Sequence, residues 1–335
     1  MQKMIKKRII WIDWAKSICM FLVVFGHCHI HPSLQLITQV IYSFHIPLFF
    51  FISGLLCPKN FTKSSILKDI KYIIIPYFVF GIFQIIFHSL LSREFSLLFY
   101  FIKIKTLCLG SDASIGAIWF LPALFICKQL HYLILWIRKK SFFAHMMILV
   151  LSLFPTYYIS LSNLNLMLFA DSALFGLPFF LIGNNSSYFI ESKWPINTFT
   201  MAITSIILLV LTIILSIYNG FVSIAICNYG KHLLIYYINA VTGIAAFVGA
   251  CLLLKKGCPN FIITTSYGTI VTLGFHGIIL LILQYYIPML AGFYTPTITL
   301  SLAISYSVVT YSICYLIITL GDHYCPQLIG LKGRL

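Results

Sequence analysis

Ten apolar stretches alternate with short polar segments along the chain. A helix that crosses a membrane needs about 20 mostly apolar residues. The shorter stretch 94–107 carries two lysines, and we expect it to lie at the membrane surface. No linker, composition shift or internal repeat interrupts the series, which predicts a single membrane-embedded domain over residues 1–335. The predicted spans are 9–30, 38–57, 72–91, 116–136, 146–161, 166–183, 198–217, 232–254, 266–288 and 297–320.

Composition supports this fold class. Hydrophobic residues make up 61% of the chain and charged residues only 9%, whereas a soluble domain averages about 25% charged residues. This balance excludes a disordered chain, and the shortage of acidic residues argues against a soluble nucleic-acid binder. We therefore expect an all-α polytopic membrane protein with about ten transmembrane helices, in a cell (inner or plasma) membrane. Its partners would include membrane lipid but no nucleic acid.

The cations predict the orientation of these spans. The first basic segment runs directly into the first apolar stretch without a small-residue cleavage site, so we expect an uncleaved first span. With the N-terminus in the cytoplasm, 16 of the 22 Lys and Arg residues fall in cytoplasmic segments and four in outer ones. Positive charge marks cytoplasmic loops. The split therefore predicts that both termini lie in the cytoplasm and that the number of spans is even.

The ten cysteines show neither a CxxC motif nor a His/Cys ligand spacing. Most lie inside apolar stretches, where a free cysteine behaves as a small hydrophobic residue. We expect free thiols and no structural metal.

The first span carries ionisable residues, which are costly in a membrane and usually face a polar interior. Lys16 and His27 are 11 residues apart, so on an α-helix they differ by about 20° and share one face, about 16 Å apart. Asp13 precedes Lys16 by one turn and could pair with it. The alternative is that Asp13 and Lys16 reach the membrane surface and that His27 is a hydrogen-bonded packing residue.

Further polar residues fall into two layers. His45 in the second span and Trp119 in the fourth lie at the predicted outer level of His27, while Lys128 lies at the inner level of Lys16. His276 falls near the middle of the ninth span. The first cytoplasmic loop adds Lys59, Lys63, Lys68 and Lys71.

Each layer suggests its own chemistry. Lysines bind phosphate as point charges, so the inner layer suits a phosphorylated small molecule. A neutral histidine suits a general base because its pKa lies near neutrality. The two layers together fit a reaction across the membrane between a cytosolic donor and an outer acceptor. A proton-coupled transporter fits the same arrangement.

At these residues the chain resembles the membrane acyltransferase 3 family, which includes O-acetyltransferases of bacterial surface polysaccharides. The resemblance is strongest over residues 8–57, where a basic residue, Lys16, precedes His27 by eleven positions. It extends to about residue 285. The segments that carry it are RIIWIDWAKSICMFLVVFGH, SFHIPLFFFISGLL, KDIKYIIIPYFVFG, AIWFLPALF, GLPFFLIGN, NYGKHLLIYYINAVTGI and TLGFHGIIL.

The resemblance implies an O-acyltransferase that takes its acyl group from cytosolic acyl-CoA, usually acetyl-CoA, as donor substrate. The acceptor would be a hydroxyl of an extracytoplasmic or lipid-linked glycan. Carried over to this chain, His27 is the essential catalytic histidine and Lys16 its basic partner. Lys68 and Lys71, which stand where arginines are common, would help to hold the CoA phosphates.

From these positions we expect the CoA phosphates to bind at Lys16, Lys68 and Lys71, with Lys128 as a further cation of the inner layer. His45 and Trp119 would shape the acceptor site, the indole face stacking on a sugar.

Two questions stay open on the sequence. His27 could act as a general base or could carry the acyl group itself. A transporter or flippase for polysaccharide intermediates is the competing function. Such proteins often show internal repeats and paired broken helices, and neither pattern is convincing in this sequence. A sensor or scaffold without catalysis would leave the Lys16/His27 pair without a role.

Overall fold

The computed structural model describes residues 8–28, 32–58, 62–110, 113–138, 156–159, 166–186, 197–254, 257–290, 298–327 and 329–331. The described chain is built from α-helices and contains no β-strand, only one isolated bridge between Ser223 and Asn228. The helices are α1 (Ile10–Gly26), α2 (Gln35–Leu55), α3 (Lys63–Asp69), α4 (Ile75–Ser92), α5 (Leu97–Leu109), α6 (Phe120–Arg138), α7 (Ala170–Asn185), α8 (Thr198–Asn219), α9 (Leu233–Leu253), α10 (Asn260–Tyr267), α11 (Thr269–Leu281), α12 (Ile287–Leu290) and α13 (Leu300–Tyr324).

The prediction of an all-α polytopic membrane fold is confirmed. Within the described residues, eight helical stretches are long and apolar enough to cross a membrane. Helix α1, with 17 residues, is slightly shorter and largely buried. These nine elements correspond to nine of the ten predicted spans. The tenth, 146–161, falls almost entirely outside the described residues, and its four described residues, 156–159, are helical.

The segment predicted to lie at the membrane surface forms α5. Its 13 residues are too few to cross a bilayer, and its side chains are largely exposed. Phe99 and Leu107 anchor it, because both are buried against the bundle. Its position relative to the membrane stays a prediction.

Both ends of the described chain lie at one end of the bundle. At the start of α1, the Arg8 guanidinium donates to the carbonyl of Ile263, and the Trp14 indole donates to the carbonyl of Gly257. Near the other terminus, Gly330 packs beside Pro76. We call this end inner, following the charge-based prediction. An even number of crossings would place the two ends together in this way.

Two helices are interrupted by a π-helical turn with a common local cause. The turns Ile70–Ile74 and Ile282–Tyr286 each end two residues before a proline, Pro76 or Pro288. Proline has no N–H to donate to the carbonyl four residues earlier, so the regular α-helical hydrogen bond to that carbonyl is missing. A π turn rotates the following residues relative to the preceding ones. The first of these turns forms part of the site described below.

Helices α2 and α7 cross closely because each places a glycine against the other's backbone. A Cβ on Gly54 would lie 1.9 Å from the carbonyl oxygen of Phe180, and one on Gly183 would lie 2.0 Å from that of Phe51. Small residues permit such close approach between membrane helices. The amide of Asn184 also donates to the carbonyl of Gly54. This crossing fixes the position of α2, which forms one wall of the site.

Candidate active site

A cavity of about 500 Å³ opens within the inner half of the bundle, between α1, α2, α6, α11 and the junction of α3 with α4. We call it the inner cavity. Its volume lies within the range of about 300–1,000 Å³ that is usual for ligand pockets. Three of its lining residues are the cations Lys16, Lys68 and Lys128, and Asp69 is a fourth charged group.

Helix α1 contributes one continuous stripe to this cavity. Lys16, Met20 and Val23 line it, and their spacing of four and three residues keeps them on one helix face. His27 is the next residue of the same stripe, about 6 Å beyond Val23 along the helix. The inner cavity therefore leads from Lys16 towards His27.

The segment that joins α3 to α4 contributes some of its residues to the cavity and not others. Lys68, Asp69 and Tyr72 line it, whereas Lys71 is not among the lining residues. The Lys71 ammonium lies over the ring of Tyr72, 5.7 Å from its centroid. The structure therefore brings Lys68 to the cavity and places Lys71 beside it.

A buried carboxylate holds the third cation. Lys128 forms an ion pair with Asp69, and the Tyr132 hydroxyl donates to the other oxygen of Asp69 at 2.9 Å. Asp69 is 5% exposed. A buried carboxylate is costly unless it is paired and hydrogen-bonded, so this contact fixes Lys128 at the cavity wall.

Asp13 has partners outside this cavity. Its carboxylate binds Arg8 at 2.5 and 3.1 Å and accepts a hydrogen bond from Ser266 at 2.6 Å. The hydrogen bond to Asp13 raises the pKa of the Arg8 guanidinium above its usual value. The contact ties the start of α1 to α10, and Asp13 is not among the residues that line the inner cavity.

A second opening lies at the other end of α1. This outer cleft, of about 280 Å³, is lined by Gly26 and Cys28, the two neighbours of His27, and by Pro32, Gln35, Thr38, Tyr42 and Phe221. His27 caps the C-terminal end of α1, and its side chain is exposed. An exposed histidine thus stands between a cavity that contains lysines and a cleft at the opposite end of the bundle.

With this geometry in place, comparison with known proteins gives one match. The acyltransferase 3 family, described as an acyltransferase domain, matches residues 9–319. The chain belongs to this family. No curated protein and no solved structure matches the chain. The protein is thus a membrane acyltransferase, and the family resemblance noted on the sequence is confirmed.

The two histidines predicted at the outer level, His27 and His45, both lie next to Tyr42 in the acyltransferase. The ring of Tyr42 lies 6.4 Å from that of His27 and 4.8 Å from that of His45, between centroids. His45 is 3% exposed, and its Nδ1 donates to the carbonyl of Ile41 at 2.7 Å. The structure therefore places His45 behind Tyr42 and not among the residues that line the outer cleft.

Trp119 lies apart from both openings. It is 6% exposed, and its ring contacts those of Phe120 and Phe169 at 6.1 and 6.3 Å. It lines neither the inner cavity nor the outer cleft, although its neighbour Phe120 lines the inner cavity. Its role in binding a sugar stays a prediction.

Three residues of the candidate active site have no role in the sequence-based prediction. Asp69 binds both Lys128 and Tyr132 of α6, and no local pattern pairs residues that are about 60 positions apart. His276 lies with its ring centroid 5.1 Å from that of His27. Its place in a span was visible on the sequence, but its distance from His27 depends on how α11 packs against α1.

Among the described residues, no group of three His, Cys, Asp or Glu side chains is close enough to hold a metal ion. All ten cysteines are free thiols.

Proposed function

We propose that this acyltransferase transfers an acyl group, with acetyl as the expected one, from cytosolic acyl-CoA to a hydroxyl of an extracytoplasmic or lipid-linked glycan. The observation that carries the proposal is the position of His27. It ends the stripe of α1 that lines the inner cavity, and its two neighbours in the chain line the outer cleft. One side chain can therefore meet a donor from one end of the bundle and an acceptor from the other.

The charges of the inner cavity support a CoA donor. Lys16 is half-buried on the cavity wall and Lys68 is exposed beside it. Ammonium groups bind phosphate oxygens by charge-assisted hydrogen bonds. The phosphates would lie at these two lysines, and the pantetheine arm would extend along Met20 and Val23 towards His27.

The apolar part of the cavity suits the rest of the donor. Above the lysines the lining changes to aliphatic and aromatic side chains, including Ile46, Phe49, Leu121 and Leu273. These residues would contact the pantetheine chain and keep bulk water away from the thioester. Exclusion of water limits the competing hydrolysis of the acyl group.

In the proposed step, His27 acts as a general base. Its unprotonated ring nitrogen accepts the proton of the acceptor hydroxyl while the hydroxyl oxygen attacks the thioester carbonyl. The new C–O bond forms, the C–S bond breaks, and the proton on His27 passes to the departing CoA thiolate. The products are an O-acyl ester and free CoA, and His27 is neutral again.

The acceptor would approach through the outer cleft. Tyr42 and Phe221 provide aromatic surface there, their rings 5.2 Å apart, and Gln35 and Thr38 provide polar groups. Aromatic faces with nearby hydrogen-bonding groups suit a sugar. His45 supports this surface from behind Tyr42.

The experiment uses purified full-length protein in lipid nanodiscs with radiolabelled acetyl-CoA, together with mass spectrometry of surface glycans from cells that express each variant. His27→Ala is expected to abolish glycan acetylation, because general-base catalysis contributes about 10²–10⁴-fold. Lys16→Met is expected to raise the KM for acetyl-CoA. Lys105→Met on α5 is the matched control and should behave as the wild type.

Exposure of His27 makes His27→Ala a suitable variant, because its truncation leaves no cavity in the core. Normal acetylation by this variant at normal expression would refute the assigned role. Failure of the wild-type protein to bind or consume acetyl-CoA would refute the proposed donor and favour transport.

A further inference from the structure

His276 is a buried histidine next to the exposed one. It lies on α11, one turn beyond Leu273 of the inner cavity, and is 1% exposed. Its ring centroid lies 5.1 Å from that of His27, with the ring planes inclined by 58°. At this separation, a ring nitrogen of each histidine can come within hydrogen-bond distance of the other ring.

The hydrogen bonds of His276 determine its tautomer. Its Nδ1 lies 2.7 Å from the carbonyl oxygen of Thr272. A carbonyl only accepts, so Nδ1 carries the proton and the neutral ring keeps its lone pair on Nε2. This Nε2 is fully buried and has no hydrogen-bond partner among the residues that the structure describes. A buried acceptor without a donor is rare in native proteins and calls for an explanation.

We propose that Nε2 of His276 accepts a hydrogen bond from a ring N–H of His27 and thereby positions His27 for catalysis. This inference rests on the proposed function and makes His276 a positioning residue. The bond fixes which nitrogen of His27 carries the proton, so the other nitrogen presents its lone pair to the substrate. When His27 takes up the hydroxyl proton, the same bond stabilises the imidazolium. A base oriented by a third group in this way is a recurring catalytic arrangement.

His45 shows that the intrahelical bond alone does not explain this geometry. It makes the same Nδ1 contact to the carbonyl four residues earlier, also at 2.7 Å. Its Nε2 is not among the buried atoms without a partner, and its ring faces Tyr42. Of these two histidines, therefore, only His276 combines a buried, unpartnered nitrogen with proximity to His27.

The test compares His276→Phe, which keeps a planar ring but has no acceptor, with His276→Gln, whose amide oxygen can reach the position of Nε2. His276→Phe is expected to lower kcat for acetyl transfer at least tenfold, with the KM values for acetyl-CoA and acceptor within twofold of wild type. His276→Gln is expected to retain most of the activity. His131→Phe replaces another fully buried histidine, on α6, and should leave kcat unchanged.

A second measurement does not depend on acyl transfer. Diethyl pyrocarbonate modifies the unprotonated nitrogen of histidine, and mass spectrometry of the His27 peptide gives its rate. We expect a rate at least threefold lower in His276→Phe, and rates within twofold of wild type in His276→Gln and His131→Phe. An unchanged rate in His276→Phe, or equal loss of kcat in the Phe and Gln variants, would overturn the proposal. A raised acceptor KM with unchanged kcat would also overturn it, since it would make His276 a binding residue.

The two proposals fail in different ways. If the wild-type protein transfers no acetyl group, the proposed function fails, while the carbethoxylation rates still decide the role of His276.

Discussion

The close crossing of α2 and α7 gives a quantitative prediction for the fold that supports the site. In Gly54→Ala the new Cβ would meet the carbonyl oxygen of Phe180 at 1.9 Å, whereas an ordinary contact begins near 3.4 Å. The helices would have to separate locally by the difference, about 1.5 Å. The obstacle is backbone, which cannot turn away as a side chain could.

The size of the effect follows from this displacement. Overpacking a core typically costs about 1–3 kcal/mol, and a gap of 0.5–1 Å already forfeits about a quarter to a half of the dispersion energy of the contacts that it opens. We expect Gly54→Ala to lower the free energy of unfolding by about 3 kcal/mol. Gly183→Ala should cost a similar amount, because its Cβ would lie 2.0 Å from the carbonyl oxygen of Phe51.

The double variant tests the geometry most directly. Helices that have already separated to admit one methyl group have room for the second. We therefore expect the two substitutions to be non-additive, the second costing about 1 kcal/mol or less. The assay is denaturant-induced unfolding in mixed micelles, followed by circular dichroism. Gly277→Ala is the control, since its Cβ would meet no described residue within 4 Å and alanine favours a helix by about 0.5–1 kcal/mol. Additive losses, or a loss at Gly277 equal to that at Gly54, would refute the reasoning.

Three further predictions concern the inner cavity and the outer loops. Lys68→Met should raise the KM for acetyl-CoA about fivefold, the equivalent of about 1 kcal/mol for a charge contact in water. Lys71→Met should raise this KM less, and equal effects of the two variants would contradict the placing of Lys68, but not Lys71, in the cavity. Gly330→Val should lower stability by about 1–2 kcal/mol in a thermal-shift assay, because the residue has a φ of +75° that disfavours a β-branched side chain. Burial and a neighbouring carboxylate raise the pKa of the Cys227 thiol to about 12, so at pH 8 it stays protonated. N-ethylmaleimide should modify the exposed Cys108 and leave Cys227 unmodified, as judged by peptide mass spectrometry.

The spans were predictable because length and hydropathy decide them, and nine of the ten coincide with described helices or helical stretches. The common face of Lys16 and His27 was also predictable. It requires only the helical period within one continuous helix, and the structure places Lys16 and the stripe that leads to His27 along one cavity.

The different positions of Lys68 and Lys71 were harder to predict. Lys68 and Tyr72 line the cavity, while Lys71, which lies in the π turn Ile70–Ile74, stays beside it. The available signal was Pro76, which removes the usual donor, four residues later, for the carbonyl of Tyr72. Proline can also kink or end a helix, so this signal alone does not specify a π turn.

Contacts between distant segments were beyond the sequence pattern. On the sequence, nothing distinguishes Asp69 from other acidic residues of polar segments. Its importance depends on the packing of α6, which brings Lys128 and Tyr132 to it. His276 likewise stands inside an apolar stretch, and only the rotation of α11 against α1 turns its ring towards His27. Helix rotation in a membrane depends on side-chain packing between helices and not on hydropathy.

The distribution of polarity along α1 explains how one helix could serve two aqueous compartments. Lys16 at the inner level carries a positive charge that attracts anionic groups. Met20 and Val23 carry no charge that could bind such groups, and His27 lies beside the outer cleft. A phosphorylated donor would therefore be held at its charged end while only its uncharged arm extends along the apolar segment, since moving a phosphate there would cost the full desolvation of its charge. An acceptor would meet the same restriction from the other side, because Met20 and Val23 offer its hydroxyls no strong hydrogen-bonding partner. In the proposed reaction the apolar segment would thus separate donor from acceptor everywhere except at the reactive carbonyl, next to His27.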